Sequence, residues 1–204
     1  MKRLVLFSSP KGKNLEEILD KIFPQEIENK VFAYLPVEGK HSRQEFTEYW
    51  QEVSKKFNTE FLFIDNTSDN PQEEKEKLLR ANILIITGGN TFELLNNIRQ
   101  TGLDGALLNF IKKPEFVIAG WSAGVLLMSP TIEVAGLPHR DGSKTPMDNN
   151  KWKLTDLTGL GFVDFEVFPH YDVSLHDSTY RKYNEKKSGK VRALTDDDFI
   201  VIDL

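Results

Sequence analysis

Short apolar runs alternate with amphipathic segments along the first half of the chain. Five runs read as buried strands: Arg3–Phe7, Lys30–Leu35, Glu60–Ile64, Ile83–Thr87 and Glu115–Ala119. The segments that follow or separate them have helical length or spacing: Leu15–Phe23, Gln44–Phe57, Gln72–Leu79, Phe92–Arg99 and Leu103–Ile111. Strands that are apolar throughout and alternate with helices are typical of a parallel sheet covered on both faces. The pattern therefore predicts a three-layer, doubly wound, mostly parallel α/β fold, with a site at the carboxyl ends of the strands.

This alternation stops after Met128. Residues 129–158 are rich in Pro, Gly and polar side chains, which predicts a long binding or lid loop. Regular structure resumes with an apolar run at Phe162–Phe168, followed by a polar helix around Ser178–Lys187. Two strand-like runs come after this helix, Val191–Leu194 and Phe199–Ile202. The absence of an internal boundary or repeat predicts one domain over residues 1–204.

Composition narrows the function classes. A net charge of −5 gives no concentrated basic face for nucleic acid, and no apolar run approaches the length of a membrane span. The chain has no cysteine, so a thiolate nucleophile is excluded and a cytoplasmic location is favoured. The oligomeric state is left as monomer or homodimer.

The segment Gly120-Trp-Ser122-Ala-Gly124 follows a buried strand and precedes an apolar helix. A serine in a G-x-S-x-G turn between strand and helix is the pattern of a nucleophile elbow, although an ordinary turn with a capping serine has the same letters. Of the four histidines, His170 alone ends a strand, in Phe-Pro-His170-Tyr, at the sheet edge where Ser122 is expected. A second glycine-rich turn, Gly88-Gly89-Asn90-Thr91, leaves a strand toward the same edge, where its N–H groups suit an oxyanion or a phosphate.

Four motifs in this order, namely Gly-Gly-Asn-Thr-Phe-Glu-Leu-Leu, Ala-Gly-Trp-Ser-Ala-Gly, Ser-Pro-Thr-Ile and Phe-Pro-His-Tyr, resemble the peptidase E family of serine hydrolases. The resemblance covers nearly the whole chain. It implies a flavodoxin-like fold akin to class I glutamine amidotransferases. It also implies that Ser122 is the nucleophile and His170 the base, with an oxyanion hole formed by the N–H groups of Gly89 and Ala123.

The family's third catalytic residue is an acid between the last two strands. Asp196 is our choice here, with Asp197 and Asp198 as alternatives, because a polar turn would carry the same residues. Asn90, Thr91 and Arg181 are the expected substrate-binding residues. Gly136 stands where the aspartyl dipeptidases carry an aspartate, so strict preference for N-terminal aspartate is not expected.

The predicted function is hydrolysis of small peptides through an acyl-enzyme, by a reaction that needs no metal or cofactor. The sequence holds no H-E-x-x-H pair with zinc-site spacing. Two alternatives remain open: an α/β-hydrolase-type esterase, which shares the serine motif, and a ligand-binding relative without turnover.

Overall fold

A computed structural model of the chain describes residues 1–27 and 30–204. Its main sheet has six strands in the order β3-β2-β4-β5-β1-β8. The first five are parallel and β8 pairs antiparallel with β1 at one edge. The strands of this sheet are β1 (Lys2–Phe7), β2 (Val31–Leu35), β3 (Glu60–Phe63), β4 (Ile83–Ile86), β5 (Phe116–Trp121) and β8 (Phe199–Asp203).

Helices cover both faces of this sheet, which confirms the three-layer, doubly wound α/β prediction. The helices are α1 (Leu15–Ile22), α2 (Gln44–Lys56), α3 (Pro71–Arg80), α4 (Thr91–Thr101), α5 (Leu103–Phe110), α6 (Ala123–Met128) and α7 (Val173–Lys186). One apolar core packs α1 and α2 against alternate strand residues such as Val5 and Ile85. The other packs α3 to α6 against the intervening residues, such as Leu6 and Ile86. The strand side chains thus divide between two cores by their period of two.

A second, two-stranded parallel sheet follows the long loop, formed by β6 (Glu166–Phe168) and β7 (Val191–Ala193). Its carboxyl end meets the carboxyl end of β1, where the buried Ser8 hydroxyl donates to the carbonyl of Leu194. The sequence predicted a single run at 162–168, but only its last three residues pair as a strand, because residues 162–165 bend along the end of α6.

The start of the last helix also differs from the prediction. Helix α7 begins five residues before the predicted Ser178, because the Asp172 carboxylate accepts a hydrogen bond from the N–H of Ser174 and caps the helix there. Residues 129–158 form a long connection as predicted, with one 3₁₀ turn at Glu133–Gly136. No helix among the described residues is both long and apolar enough to cross a membrane.

Candidate active site

Ser122 occupies a strained turn between β5 and α6. Its backbone has φ 50° and ψ −111°, a positive φ that a non-glycine residue adopts at a cost of about 1–3 kcal/mol. Small neighbours make the turn fit: a Cβ on Gly120 would lie 2.9 Å from the sulfur of Met128, and one on Gly124 would overlap the carbonyl of Ile86. The hydroxyl-bearing residue is thereby held above the sheet at the start of α6.

His170 and Asp196 form a hydrogen-bonded pair beside this serine. The ring atom Nδ1 of His170 lies 2.5 Å from Oδ1 of Asp196, and the two side chains are 47% and 60% exposed. A proton on Nδ1 leaves Nε2 as an acceptor, and Nε2 has no hydrogen-bond partner in the described part of the chain. The structure therefore brings together an oriented imidazole and the serine that the sequence singled out.

The two alternative acids are engaged elsewhere. Asp197 accepts a hydrogen bond from the N–H of Lys13 and pairs with its ammonium group at 3.1 Å. The Lys13 N–H and ammonium group hold the pKa of the Asp197 carboxyl below its ordinary value. Asp198 accepts from the N–H and the hydroxyl of Thr195 within the same turn. Of the three acids, Asp196 alone contacts His170.

Two cavities open on Ser122 and His170. The first, of about 300 Å³, is called the Gly89 cavity and is also lined by Gly88, Gly89, Trp121 and, at its rim, Lys11 and Arg43. The second, of about 220 Å³, is called the Asp148 cavity and is also lined by Thr91, His139, Asp148 and His176. A molecule bound at Ser122 can thus extend into a cavity on either side of this residue.

The two residues predicted to form the oxyanion hole, Gly89 and Ala123, follow the neighbouring strands β4 and β5 at their carboxyl ends. Gly89 has φ 143°, a conformation that glycine alone adopts readily, and a Cβ there would lie 3.0 Å from Val37. Ala123 is the first residue of α6 and is fully buried. Within the described residues, neither the N–H of Gly89 nor that of Ala123 donates to another group, and Gly89 lines a cavity next to Ser122 whereas Ala123 does not.

The three predicted substrate-binding residues bond mainly to other groups of the protein. Asn90 caps α4 by accepting from the N–H of Glu93, and its amide donates to the carbonyl of Asn149. Thr91 donates through both its N–H and its hydroxyl to Asp148. Asn90 and Thr91 therefore hold the 148–149 segment, although Thr91 also lines the Asp148 cavity.

Arg181 lies on the exposed side of α7, where its guanidinium pairs with Asp177 at 2.9 Å and is 75% exposed. It lines neither cavity next to Ser122, whereas Lys11 and Arg43 line the Gly89 cavity. Gly136 also lines neither of these cavities. Asp148 is a carboxylate that does line a cavity next to Ser122, and it was not predicted because a residue in a long loop gives no periodic signal.

His176 is buried and serves the structure. Its Nδ1 accepts from the N–H of Asp172, and Nε2 donates to the carbonyl of His139. No group of three or more histidine or acidic side chains among the described residues is arranged to hold a metal ion.

Comparison with known proteins gives a consistent result. A family model described as peptidase family S51 matches residues 4–203. An uncharacterised peptidase of Pasteurella multocida is 30% identical over 177 residues, which cover 84% of this chain and 78% of the relative. Peptidase E of Salmonella typhimurium is 29% identical over 177 residues, covering 85% of this chain and 69% of its own length.

A solved structure supports the fold. The crystal structure of a candidate peptidase E protein from Listeria monocytogenes matches with a TM-score of 0.70 at 23% identity, over 100% of this chain and 99% of that one. This match agrees with the flavodoxin-like α/β architecture. The finer likeness to class I glutamine amidotransferases stays a prediction.

Proposed function

The chain belongs to peptidase family S51 and is a serine-type peptidase, and we propose that it hydrolyses small peptides as a dipeptidase does, through Ser122, His170 and Asp196. The observation that carries this proposal is the strained Ser122 turn, which faces the same two cavities as the imidazole bound to Asp196. Membership of this family replaces the esterase interpretation.

In the proposed reaction, Oγ of Ser122 attacks the scissile carbonyl carbon while Nε2 of His170 accepts the hydroxyl proton. The carbonyl oxygen becomes an oxyanion and receives hydrogen bonds from the N–H groups of Gly89 and Ala123. The Asp196 carboxylate accepts a hydrogen bond from the Nδ1–H group of His170 and stabilises the imidazolium that forms. The strained turn acts as a nucleophile elbow, since it fixes Oγ before substrate arrives.

Collapse of this intermediate breaks the C–N bond, and the proton on Nε2 passes to the leaving amine. The acyl group then remains on Ser122 as an ester. Water attacks that ester, gives its proton to His170, and the second collapse returns the proton to Oγ and releases the carboxylic acid. These steps use this chain's own side chains, its backbone N–H groups and one water molecule.

Strict preference for N-terminal aspartate is not part of the proposal. Arg181, the cation expected among the substrate-binding residues, is paired with Asp177 outside both cavities. Together the cavities offer about 300 and 220 Å³, a size suited to short peptides rather than to a protein chain. The absence of cysteine further supports placing the enzyme in the cytoplasm.

The test is a panel of dipeptides that share a C-terminal leucine and begin with Asp, Glu, Asn or Ala, assayed with wild type and Ser122→Ala. We expect turnover of several members by wild type and none above background by the variant. Equal turnover by the folded variant would exclude Ser122 as the nucleophile. Hydrolysis of the aspartyl peptide about a hundredfold faster than every other member would overturn the broad preference.

A further inference from the structure

Ser8 is a buried serine whose hydroxyl bonds to two backbone segments, the one that carries His170 and the one that leads to Asp196. It is the first residue after β1 and has no exposed surface. Its Oγ donates to the carbonyl of Leu194 at 2.9 Å and accepts from the N–H of His170 at 3.1 Å. Leu194 precedes Asp196 by two residues, so one hydroxyl joins the segment that carries the base to the segment that carries the acid.

His170 needs such support because its backbone is strained. It has φ 54°, in the left-handed region that residues with a Cβ rarely adopt. The β6–β7 pairing ends at Phe168 and Ala193, so the ladder itself does not extend to His170. In the described structure, the Ser8 hydroxyl is the acceptor that holds the His170 N–H.

The two backbone groups that bond to the Ser8 hydroxyl differ in whether they would keep another hydrogen-bond partner without it. The carbonyl of Leu194 also accepts from the N–H of Tyr171 at 2.9 Å, so it keeps a partner without Ser8. The N–H of His170 has no second acceptor among the described residues. Loss of the hydroxyl therefore acts on His170, whose ring must point one nitrogen at Asp196 and the other at the substrate.

We propose that Ser8 is a positioning residue of the active site, which fixes the backbone of His170 and so the orientation of its ring between Asp196 and Ser122. This inference rests on the proposed function for its catalytic consequence. Ser8 lines neither cavity next to Ser122, so it acts through His170 and does not touch substrate.

The test compares Ser8→Ala and Ser8→Cys with Ser54→Ala. Ser8→Cys keeps the volume and weakens the hydrogen bonds. Ser54, in α2, is a similarly buried serine whose hydroxyl bonds to Thr59 just before β3. Neither Ser54 nor Thr59 lines a cavity next to Ser122, so the Ser54→Ala variant measures the loss of a buried hydroxyl alone. We expect both Ser8 variants to lose kcat by about 10- to 100-fold per folded molecule with little change in KM, and Ser54→Ala to keep wild-type kcat.

A second readout is independent of turnover. Nitrogen-15 NMR of labelled histidine at mildly alkaline pH reports which ring nitrogen of His170 carries the proton. Wild type and Ser54→Ala should show the Nδ1–H form, whereas the Ser8 variants should show a mixture with the Nε2–H form. A folded Ser8→Ala, or Ser8→Cys if the alanine variant does not fold, with wild-type kcat and tautomer would overturn the proposal. If wild type hydrolyses no peptide, the proposed function fails, and the tautomer measurement still decides whether Ser8 orients His170.

Discussion

Asp196 bonds Nδ1 of His170 at 2.5 Å while 60% of its own side chain remains exposed to water. Water screens an exposed carboxylate, so its electrostatic support of an imidazolium is weaker than that of a buried one. The acid here orients the ring through a hydrogen bond, and the Ser8 contact and the 195–198 turn hold the two partners in place.

Replacing Asp196 should therefore lower the rate without unfolding the protein. We expect Asp196→Asn to reduce kcat by about 10²- to 10⁴-fold, because an amide can donate to Nδ1 and favour the wrong tautomer. Asp197→Asn is the matched control, since Asp197 binds Lys13 and not His170. If steady-state kinetics show that Asp197→Asn has the larger loss, the assignment of the acid is wrong.

The base is tested in the same way. His170→Gln should abolish peptide turnover, because no other described histidine presents a ring nitrogen beside both Asp196 and Ser122. His41, in an exposed 3₁₀ turn, is the control and His41→Gln should retain wild-type kcat. Full activity of a folded His170→Gln would remove this histidine from the mechanism.

Gly12 lets the loop after β1 pass against the carbonyl of Asp196. A Cβ at this position would overlap that oxygen, although the backbone conformation itself suits any residue. Gly12→Ala should therefore shift the 195–198 turn and reduce kcat by about tenfold or more.

Gly105 is the matched control for this substitution. It lies in α5 with no atom near a would-be Cβ, so Gly105→Ala should stabilise the protein by about 0.5–1 kcal/mol and leave kcat unchanged. Thermal unfolding and kinetics on both variants check the pair. Wild-type kcat in Gly12→Ala would show that the turn moves freely without consequence.

Asp141 fastens the long loop to α7, where its carboxylate accepts from the hydroxyl of Thr179 and from the N–H groups of Ser178 and Thr179. The Thr179 hydroxyl, with these N–H groups, holds the pKa of Asp141 below its ordinary value. A lowered pKa in the folded state means that the stabilisation is fully present above about pH 3.9 and is lost as the pH falls through the folded value.

Hydrogen exchange of the Ser178 and Thr179 amides, corrected for intrinsic rates, measures this effect. In wild type, the protection of these amides should decrease when the pH is lowered below about 4. In Asp141→Asn, the amides should be less protected at neutral pH, and their protection should depend little on pH. Protection in wild type that is constant down to about pH 2 would contradict the assigned anchor.

Much of this architecture is readable from local pattern. The five parallel strands are short apolar runs with clear breaks, and the position of Ser122 at the end of one of them follows from their order. His170 also follows a strand, but β6 belongs to the separate two-stranded sheet, so the expectation that both residues share one edge of a single sheet was wrong. The start of α7 was misplaced because Asp172 caps a helix whose first turn has exposed Val173 and Leu175, a pattern without amphipathic signal. The expectation of one domain over residues 1–204 stays a prediction.

The site itself was only partly readable. The choice among three adjacent acids depends on where the loop after β1 lies, since Lys13 takes Asp197 and leaves Asp196 for the histidine. Asp148 was not predicted, and the role of Arg181 stays a prediction, because contacts made by a long loop and by an exposed helix face depend on tertiary packing, which no local pattern encodes.

Covalent labelling of the serine tests the central claim most directly. Wild type, Ser122→Ala and His170→Gln are treated with a fluorophosphonate, and intact mass followed by peptide mapping locates any adduct. The account predicts one adduct per wild-type chain, located on Ser122, none on Ser122→Ala, and labelling of His170→Gln slowed by at least about a hundredfold. Wild type that stays unlabelled, or labels on another residue at the same rate in all three proteins, would contradict an activated nucleophile at Ser122.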